Sequence, residues 1–220
     1  TGRSKGVMLT HRNISFNATK GRIIQPINEN DRFLSVLPLS HTYENTLGLI
    51  LSMLGGACVY YLRKPPTPAV LLPALELVKP TIMLTVPLII EKIYFNKILP
   101  VFREKALMRI LYRIPFIRKK LNVIAGKKLL KTFGGEIKFF GIGGSKLNKS
   151  VEKFLREAKF PYAIGYGLTE TSPLIAGANP QKTVLESTGP AIEGIELKIN
   201  NPDPKTGEGE IWARGPVVMK

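Results

Sequence analysis

Three glycine-flanked stretches carry the residue types that a magnesium nucleotide needs. The first is Thr1-Gly2-Arg3-Ser4-Lys5-Gly6. Gly2 and Gly6 let backbone N–H groups approach phosphate oxygens, and Lys5 supplies a positive charge to them. The order is not that of the kinase and GTPase P-loop, in which Gly-Lys is followed by Ser or Thr. Here Lys5 precedes Gly6 and Val7 follows. Taken alone, the stretch reads equally as a surface turn. The second is Gly141-Ile142-Gly143-Gly144-Ser145-Lys146-Leu147. A strand that ends in Gly-Gly lets a flat base lie against backbone, although a tight strand-to-helix turn uses the same residues.

The third stretch, Gly165-Tyr166-Gly167-Leu168-Thr169-Glu170-Thr171, is the most informative. Tyr166 stands between two glycines, which leaves a ring face open to a base. Thr169 offers a hydroxyl to a phosphate oxygen. Glu170 offers the hard oxygen that Mg²⁺ prefers. Aromatic ring, hydroxyl and carboxylate thus match the three parts of a magnesium nucleotide. The competing reading is a helix turn capped by Thr169 with Glu170 in solvent.

Ligands of open α/β sheets sit at the carboxyl ends of strands, so each stretch should follow one. The patterning predicts strands at 7–9, 32–37, 57–62, 81–86, 137–142 and 162–165, the last two entering the second and third stretches. Helices are expected at 14–21 (started by Asn13 or Ser15), 43–54, 69–78, 88–97 and 148–158, with a basic helical stretch over 101–131. Pro65, Pro66 and Pro68 mark a linker. After Pro173 the pattern becomes short strands and turns, with strands at 195–199 and 210–213 around a long turn at 201–207. Alternation of strand and helix argues for an α/β fold with largely parallel sheets flanked by helices. The expected division is a 1–176 α/β core and a small β-rich part over 177–220.

Composition sets the bounds. Hydrophobic residues are 44% and charged residues 22% of 220, which excludes disorder, collagen and coiled coil. The longest apolar run, 47–62, is broken by Gly55-Gly56 and is too short to span a bilayer. The single cysteine, Cys58, cannot form an internal disulfide. With no signal-peptide pattern, a cytoplasmic location is expected. The net charge is +16, and between Lys92 and Lys131 there are 12 Lys and Arg against Glu104 alone. That run reads as solvated helices, as a basic amphipathic face for an anionic membrane, or as a contact for a polyanionic cofactor. The second reading places the protein peripherally at the inner membrane surface. No nucleic-acid motif is present, and nucleic acid is not an expected partner.

Together these stretches resemble the acyl-adenylate-forming (AMP-binding) enzymes, which include acyl-CoA synthetases, nonribosomal adenylation domains and luciferases. Residues 1–6 followed by Leu9-Thr10-His11-Arg12-Asn13 are similar to their phosphate loop. Residues 165–171 are similar to their adenine and magnesium motif. Gly209-Glu210-Ile211 with Arg214-Gly215-Pro216 resembles a third motif. Leu37-Pro38-Leu39-Ser40-His41-Thr42-Tyr43-Glu44 resembles a fourth, in the form found in long-chain fatty acid–CoA ligases.

The resemblance implies a reaction in two steps. A fatty carboxylate attacks the α-phosphate of ATP to give acyl-AMP and pyrophosphate, and coenzyme A then displaces AMP. It implies ATP, Mg²⁺ and coenzyme A, with a fatty acid as the other substrate. It places Thr1, Gly2, Lys5 and Gly6 on the β- and γ-phosphates. Tyr166, flanked by Gly165 and Gly167, would stack on adenine, opposite Gly143, Gly144 and Ser145. Thr169 would bind the α-phosphate, Glu170 the Mg²⁺, and His41 would lie near the acyl carboxylate, unless it is a hydrogen-bonded structural histidine.

There are departures. Ser4 stands where the family usually has proline, and the Ser/Thr-rich stretch that normally precedes Thr1 is missing. The family's ribose-binding aspartate, hinge and mobile C-terminal domain would follow Lys220. The chain therefore resembles a central piece of a longer enzyme, truncated at both ends, and is not expected to make acyl-CoA alone. Two alternatives stay open: activation of an aryl or amino acid in the same superfamily, and a non-catalytic basic module that binds membrane or nucleic acid.

Overall fold

The computed structural model describes residues 6–220. Five parallel strands and one antiparallel strand form a sheet of order β2-β1-β3-β4-β5-β6. The strands are β1 (Arg32–Ser35), β2 (Cys58–Tyr61), β3 (Ile82–Thr85), β4 (Phe139–Ile142), β5 (Tyr162–Gly167) and β6 (Leu174–Gly177). β1 to β5 run parallel and present their carboxyl ends at one edge. β6 returns antiparallel on β5.

Helices cover both faces. α1 (His11–Ile24), a π-helical run Tyr43–Ile50 and its continuation α2 (Leu51–Gly55) lie on one side. On the other are α3 (Pro68–Val78), α4 (Pro87–Ile93, continuing as a π-helical run Tyr94–Ile98), α7 (Pro115–Thr132) and α8 (Lys149–Glu157). The short helices α5 (Leu99–Arg103) and α6 (Ala106–Leu111) precede α7. α3, α4 and α7 all start on proline, whose missing N–H would be unpaired in a first turn anyway.

The strands are short and apolar because both faces are buried. β3 shows how the core divides. Ile82 and Leu84 join Leu47, Leu51 and Ile175 under α1, while Met83 faces Leu75, Phe140 and Phe154 under α3 and α8. This is the alternation that a two-residue period imposes. Phe133, Phe140 and Phe160 meet edge to face at centroid distances of 5.2 to 5.9 Å. Each buried ring contributes about 1.5–3 kcal/mol. The hairpin β7 (Glu196–Asn200) and β8 (Glu210–Arg214) forms a separate two-stranded sheet. Gly177, expected to open the C-terminal part, closes β6, and Ile192, Ile195 and Val217 share a core with Ile82 and Leu84.

Four local expectations need correction. Residues 7–9 are not a strand; Met8 offers its carbonyl to the Lys220 N–H instead. α1 begins at His11, because Thr10 and Asn13 cap it reciprocally. The basic stretch is three helices, with a fresh start at Ile114-Pro115, since the residue before proline is pushed out of the α region. Tyr166 and Gly167 belong to β5 rather than to a loop after it.

Candidate active site

The second and third stretches lie side by side at the carboxyl edge of the sheet. Ile142 pairs with Ile164, so the turn at 143–145 leaves β4 beside the last residues of β5. The Gly143 N–H donates to the Thr85 carbonyl at 3.1 Å, which fastens the turn to β3. Gly144 takes a left-handed φ of +91°. Ser145 is exposed. Tyr166 is half-buried, packs against the α1-side core and is paired through its backbone with Ala176.

Tyr43 is a residue that sequence reasoning did not single out. Its ring lies against Gly143, where a Cβ would come within 3.3 Å of it. A Cβ on Gly141 would sit 3.0 Å from its hydroxyl. Glycine at 141 and 143 therefore makes room for Tyr43 on this face of β4. Desolvation pushes the Tyr43 phenol well above its ordinary value, and the neighbouring Glu44 adds to that. Position in the motif 37–44 was the only available signal for it, because an aromatic at a helix start ordinarily reads as core.

Past Gly167 the chain makes one turn of 3₁₀ helix, Thr169–Thr171. The cap is Thr171, not Thr169. The Thr171 hydroxyl accepts from the Leu168 N–H at 2.9 Å and donates to the Pro173 carbonyl at 2.6 Å. Thr169 and Glu170 are left with exposed side chains at the edge. One carboxylate suits Mg²⁺, which keeps several waters and binds mainly through substrate phosphates. No cluster of three or more His, Cys, Asp or Glu occurs among the described residues. The edge thus fits a metal that arrives with a nucleotide better than one held in a protein cage.

Residues from the two ends of the chain are drawn to this turn. The Met219 N–H donates to the Glu170 carbonyl at 2.8 Å, and the Lys220 N–H to the Met8 carbonyl at 3.1 Å. α1 holds these segments with two buried asparagines. Asn13 Nδ2 donates to the Pro216 and Val218 carbonyls at 2.7 and 3.0 Å. Asn17 Nδ2 donates to the Thr171 and Leu174 carbonyls at 3.2 and 2.8 Å. Ser172 Oγ closes on Val217 O at 2.9 Å. Residues 219 and 220 therefore link Glu170 of the third stretch to Met8, two residues past the first. Thr1, Gly2 and Lys5 lie outside the described residues. Gly6 is exposed, with open space where a Cβ would be.

His41 is exposed beyond the carboxyl end of β1; its carbonyl accepts from the Asn45 N–H at 2.9 Å. Three residues on, Glu44 is 2% exposed, and its Oε2 is among the buried polar atoms with no partner. Burial pushes its carboxyl up to about 7, against a hydrogen bond from Ser35.

A family model described as AMP-binding enzyme matches residues 1–220. The chain is 28% identical over 242 residues to long chain acyl-CoA synthetase 7, peroxisomal, of Arabidopsis thaliana, covering 100% of this chain and 34% of that protein. It is 29% identical over 244 residues to long-chain-fatty-acid–CoA ligase 2 of Schizosaccharomyces pombe, covering 99% of this chain and 35% of the yeast protein. The chain spans about a third of the length of these relatives. Among solved structures, o-succinylbenzoate CoA synthetase of Bacillus subtilis in complex with ATP and magnesium ion superposes with a TM-score of 0.70 at 25% identity. That match covers 100% of this chain and 40% of the other. ATP-bound MatB of Rhodopseudomonas palustris superposes with a TM-score of 0.72 at 22% identity, over 100% and 38% of the two chains.

Proposed function

This chain belongs to the AMP-binding enzyme family, and from that premise we propose that it is the nucleotide-gripping part of a ligase that activates a long-chain fatty acid. The carboxylate attacks the ATP α-phosphate, pyrophosphate leaves, and coenzyme A takes the acyl group from acyl-AMP. The observation that carries this reading is the meeting, at one sheet edge, of the 143–145 turn, Tyr166 to Glu170, and the segment that follows the first glycine stretch.

The residues divide the work as follows. Tyr166 and the backbone of Gly143, Gly144 and Ser145 hold the adenine. Gly165 and Gly167 lie on the other face of β5 and make room for Leu174 and Pro173, where a Cβ would strike them, rather than for the base. Thr169 donates its hydroxyl to the α-phosphate. Glu170 holds the Mg²⁺, which when bound neutralises phosphate charge. Lys5, with Thr1, Gly2 and Gly6, holds the outer phosphates, and His41 orients the acyl carboxylate. Most of the rate gain in such a step comes from placing a weak nucleophile in line and from preorganised charge.

Fatty acid is favoured as the substrate by the motif at 37–44 and by the sequence relatives. An aryl acid is the second reading, favoured by the likeness to o-succinylbenzoate CoA synthetase. An amino acid fits poorly. Its ammonium needs a carboxylate partner, and the only one in 37–45, Glu44, is buried with a raised pKa. A cytoplasmic site of action fits the single unpaired Cys58.

Isothermal titration of the chain with Mg-ATP tests the grip. Binding is expected, weakened about tenfold or more by Tyr166→Ala, since loss of one base-stacking contact costs about 1–3 kcal/mol. Glu170→Gln should remove the dependence of affinity on Mg²⁺. Failure of the unaltered chain to bind, or indifference to both changes, overturns the assignment. Pyrophosphate exchange by the complete enzyme, driven by palmitate and not by aryl acids, would set the substrate class.

A further inference from the structure

α7 crosses the end of α8 so closely that a Cβ on Gly126 would lie 2.6 Å from the Ala158 carbonyl oxygen. Glu157 locks the crossing. Arg118 reaches it with Nε at 3.0 Å and Nη2 at 2.8 Å, and Asn122 Nδ2 donates to it at 2.7 Å. The Tyr112 hydroxyl donates to Asn122 Oδ1 at 2.8 Å and draws in the end of α6. Burial alone would raise the Glu157 carboxyl, but the bonds from Arg118 and Asn122 hold it below its ordinary value. One cation of the basic run, Arg118, is thus structural.

Beside this lock lies a groove of about 790 Å³. Five cations rim it: Lys119 and Lys120 from α7, Lys153 and Arg156 from α8, and Lys159 just beyond. Its apolar lining is Phe116, Val123, Ile124 and Leu185. The only carboxylate in the lining is Glu157, already neutralised by Arg118. Along the same run Leu107, Ile110, Phe116 and Ile124 are each more than half exposed.

We propose that this groove and the adjoining exposed side chains of α6 and α7 are a docking surface for an anionic phospholipid bilayer. The rim cations meet lipid phosphates, and the apolar side chains enter the boundary between headgroups and acyl chains. A bilayer accounts for both features at once, since an amphipathic basic face binds through buried apolar area plus attraction to acidic lipid. Nucleic acid accounts for the cations alone. It also has no aromatic to stack on, because Lys120 Nζ covers the Phe116 ring at 4.2 Å. The charge on α7 is thereby joined by Lys153 and Arg156 of α8 and Lys159 just beyond it, which no sequence run connects to it.

The groove is separate from the candidate active site. α8 begins just after the 143–145 turn, at the carboxyl edge, and ends near the start of β5, at the opposite edge. Bilayer docking therefore stands or falls without the ligase reading, and substitutions in the groove leave Mg-ATP binding as an independent control.

Flotation of the chain with vesicles decides the matter. Equimolar phosphatidylcholine and phosphatidylglycerol vesicles should bind it, and pure phosphatidylcholine vesicles should not. Lys153→Glu with Arg156→Glu should weaken binding to the acidic vesicles about tenfold or more. Lys153→Gln with Arg156→Gln serves if the reversal disturbs folding, judged by thermal melting. Phe116→Gln with Ile124→Gln should weaken vesicle binding and leave its salt dependence intact. The proposal is overturned by equal binding to neutral vesicles, by no binding to acidic ones, or by indifference to the charge changes. It is also overturned if duplex DNA binds in place of vesicles.

Discussion

Glu44 keeps a carboxyl oxygen without a partner in a site that water hardly reaches. Its proton is therefore held to about pH 7 in the native state, whereas the unfolded chain releases it near the ordinary carboxyl value. Between those two values the native state binds more protons than the unfolded one, so stability falls as pH rises and levels off above about 7. The loss is on the order of 3 kcal/mol. Glu44→Gln should flatten the profile and be the more stable protein at about pH 8, as measured by urea unfolding between about pH 5 and pH 8. Parallel profiles for the two proteins would show that the carboxyl is not the cause. Sequence alone placed Glu44 in a motif but could not say that it was buried, because burial depends on how the π-helical run packs over β1.

Asp31 organises the strand starts, at the edge opposite the candidate active site. It is 2% exposed and takes bonds from the Thr81 hydroxyl at 2.7 Å, Lys138 Nζ at 2.8 Å and the Asn28 N–H at 3.0 Å. It thus ties the start of β1 to residues just ahead of β3 and β4. Burial alone would raise its pKa, but these partners lower it. Its contribution is therefore present above the ordinary carboxyl value and is lost as pH falls through the depressed one. Asp31→Ala should cost about 2–3 kcal/mol, less than a fully buried pair because Lys138 is partly exposed. Equilibrium unfolding at neutral pH measures it, and a cost near zero would show that the strands need no such tie. The five parallel strands were legible to within two residues at either end, since runs such as Ile82–Thr85 are apolar almost throughout, whereas 7–9 read as a strand and is none and β6 was not read. Their partner Asp31 was not, because two of its three contacts, Thr81 and Lys138, come from 50 and 107 positions away.

The segment 216–220 ties Met8 to Glu170 across the molecule, and Asn13 is the clamp that holds it. Asn13→Ala removes two donors and leaves the Pro216 and Val218 carbonyls unpaired, at about 1–3 kcal/mol each if they stay buried. Hydrogen exchange should then speed up at the Met219 and Lys220 amides, which bond Glu170 and Met8, while the core amides of β3 and β4 keep their protection. Unchanged exchange at 219 and 220 would mean the segment holds without α1. Asn13 was visible in the sequence only as the last residue of a motif and as a candidate helix start. Its clamp spans about two hundred positions, and local pattern carries no information about such a contact.

Local chemistry settled much of this protein before any coordinates. Apolar runs punctuated by proline and glycine announced strand and helix order, and residue types at 141–145 and 165–171 pointed to a nucleotide. Those properties depend on neighbours a few positions away, which is the range over which backbone sterics and side-chain period act. Tertiary packing alone decided that Tyr43 fills the space beside Gly143. It also decided that Thr171 rather than Thr169 caps the turn, that Arg118 is bound to Glu157, and that cations of α7 and α8 share one groove. Each of these joins residues brought together by chain folding, and only the close packing of whole elements chooses among the partners that composition permits.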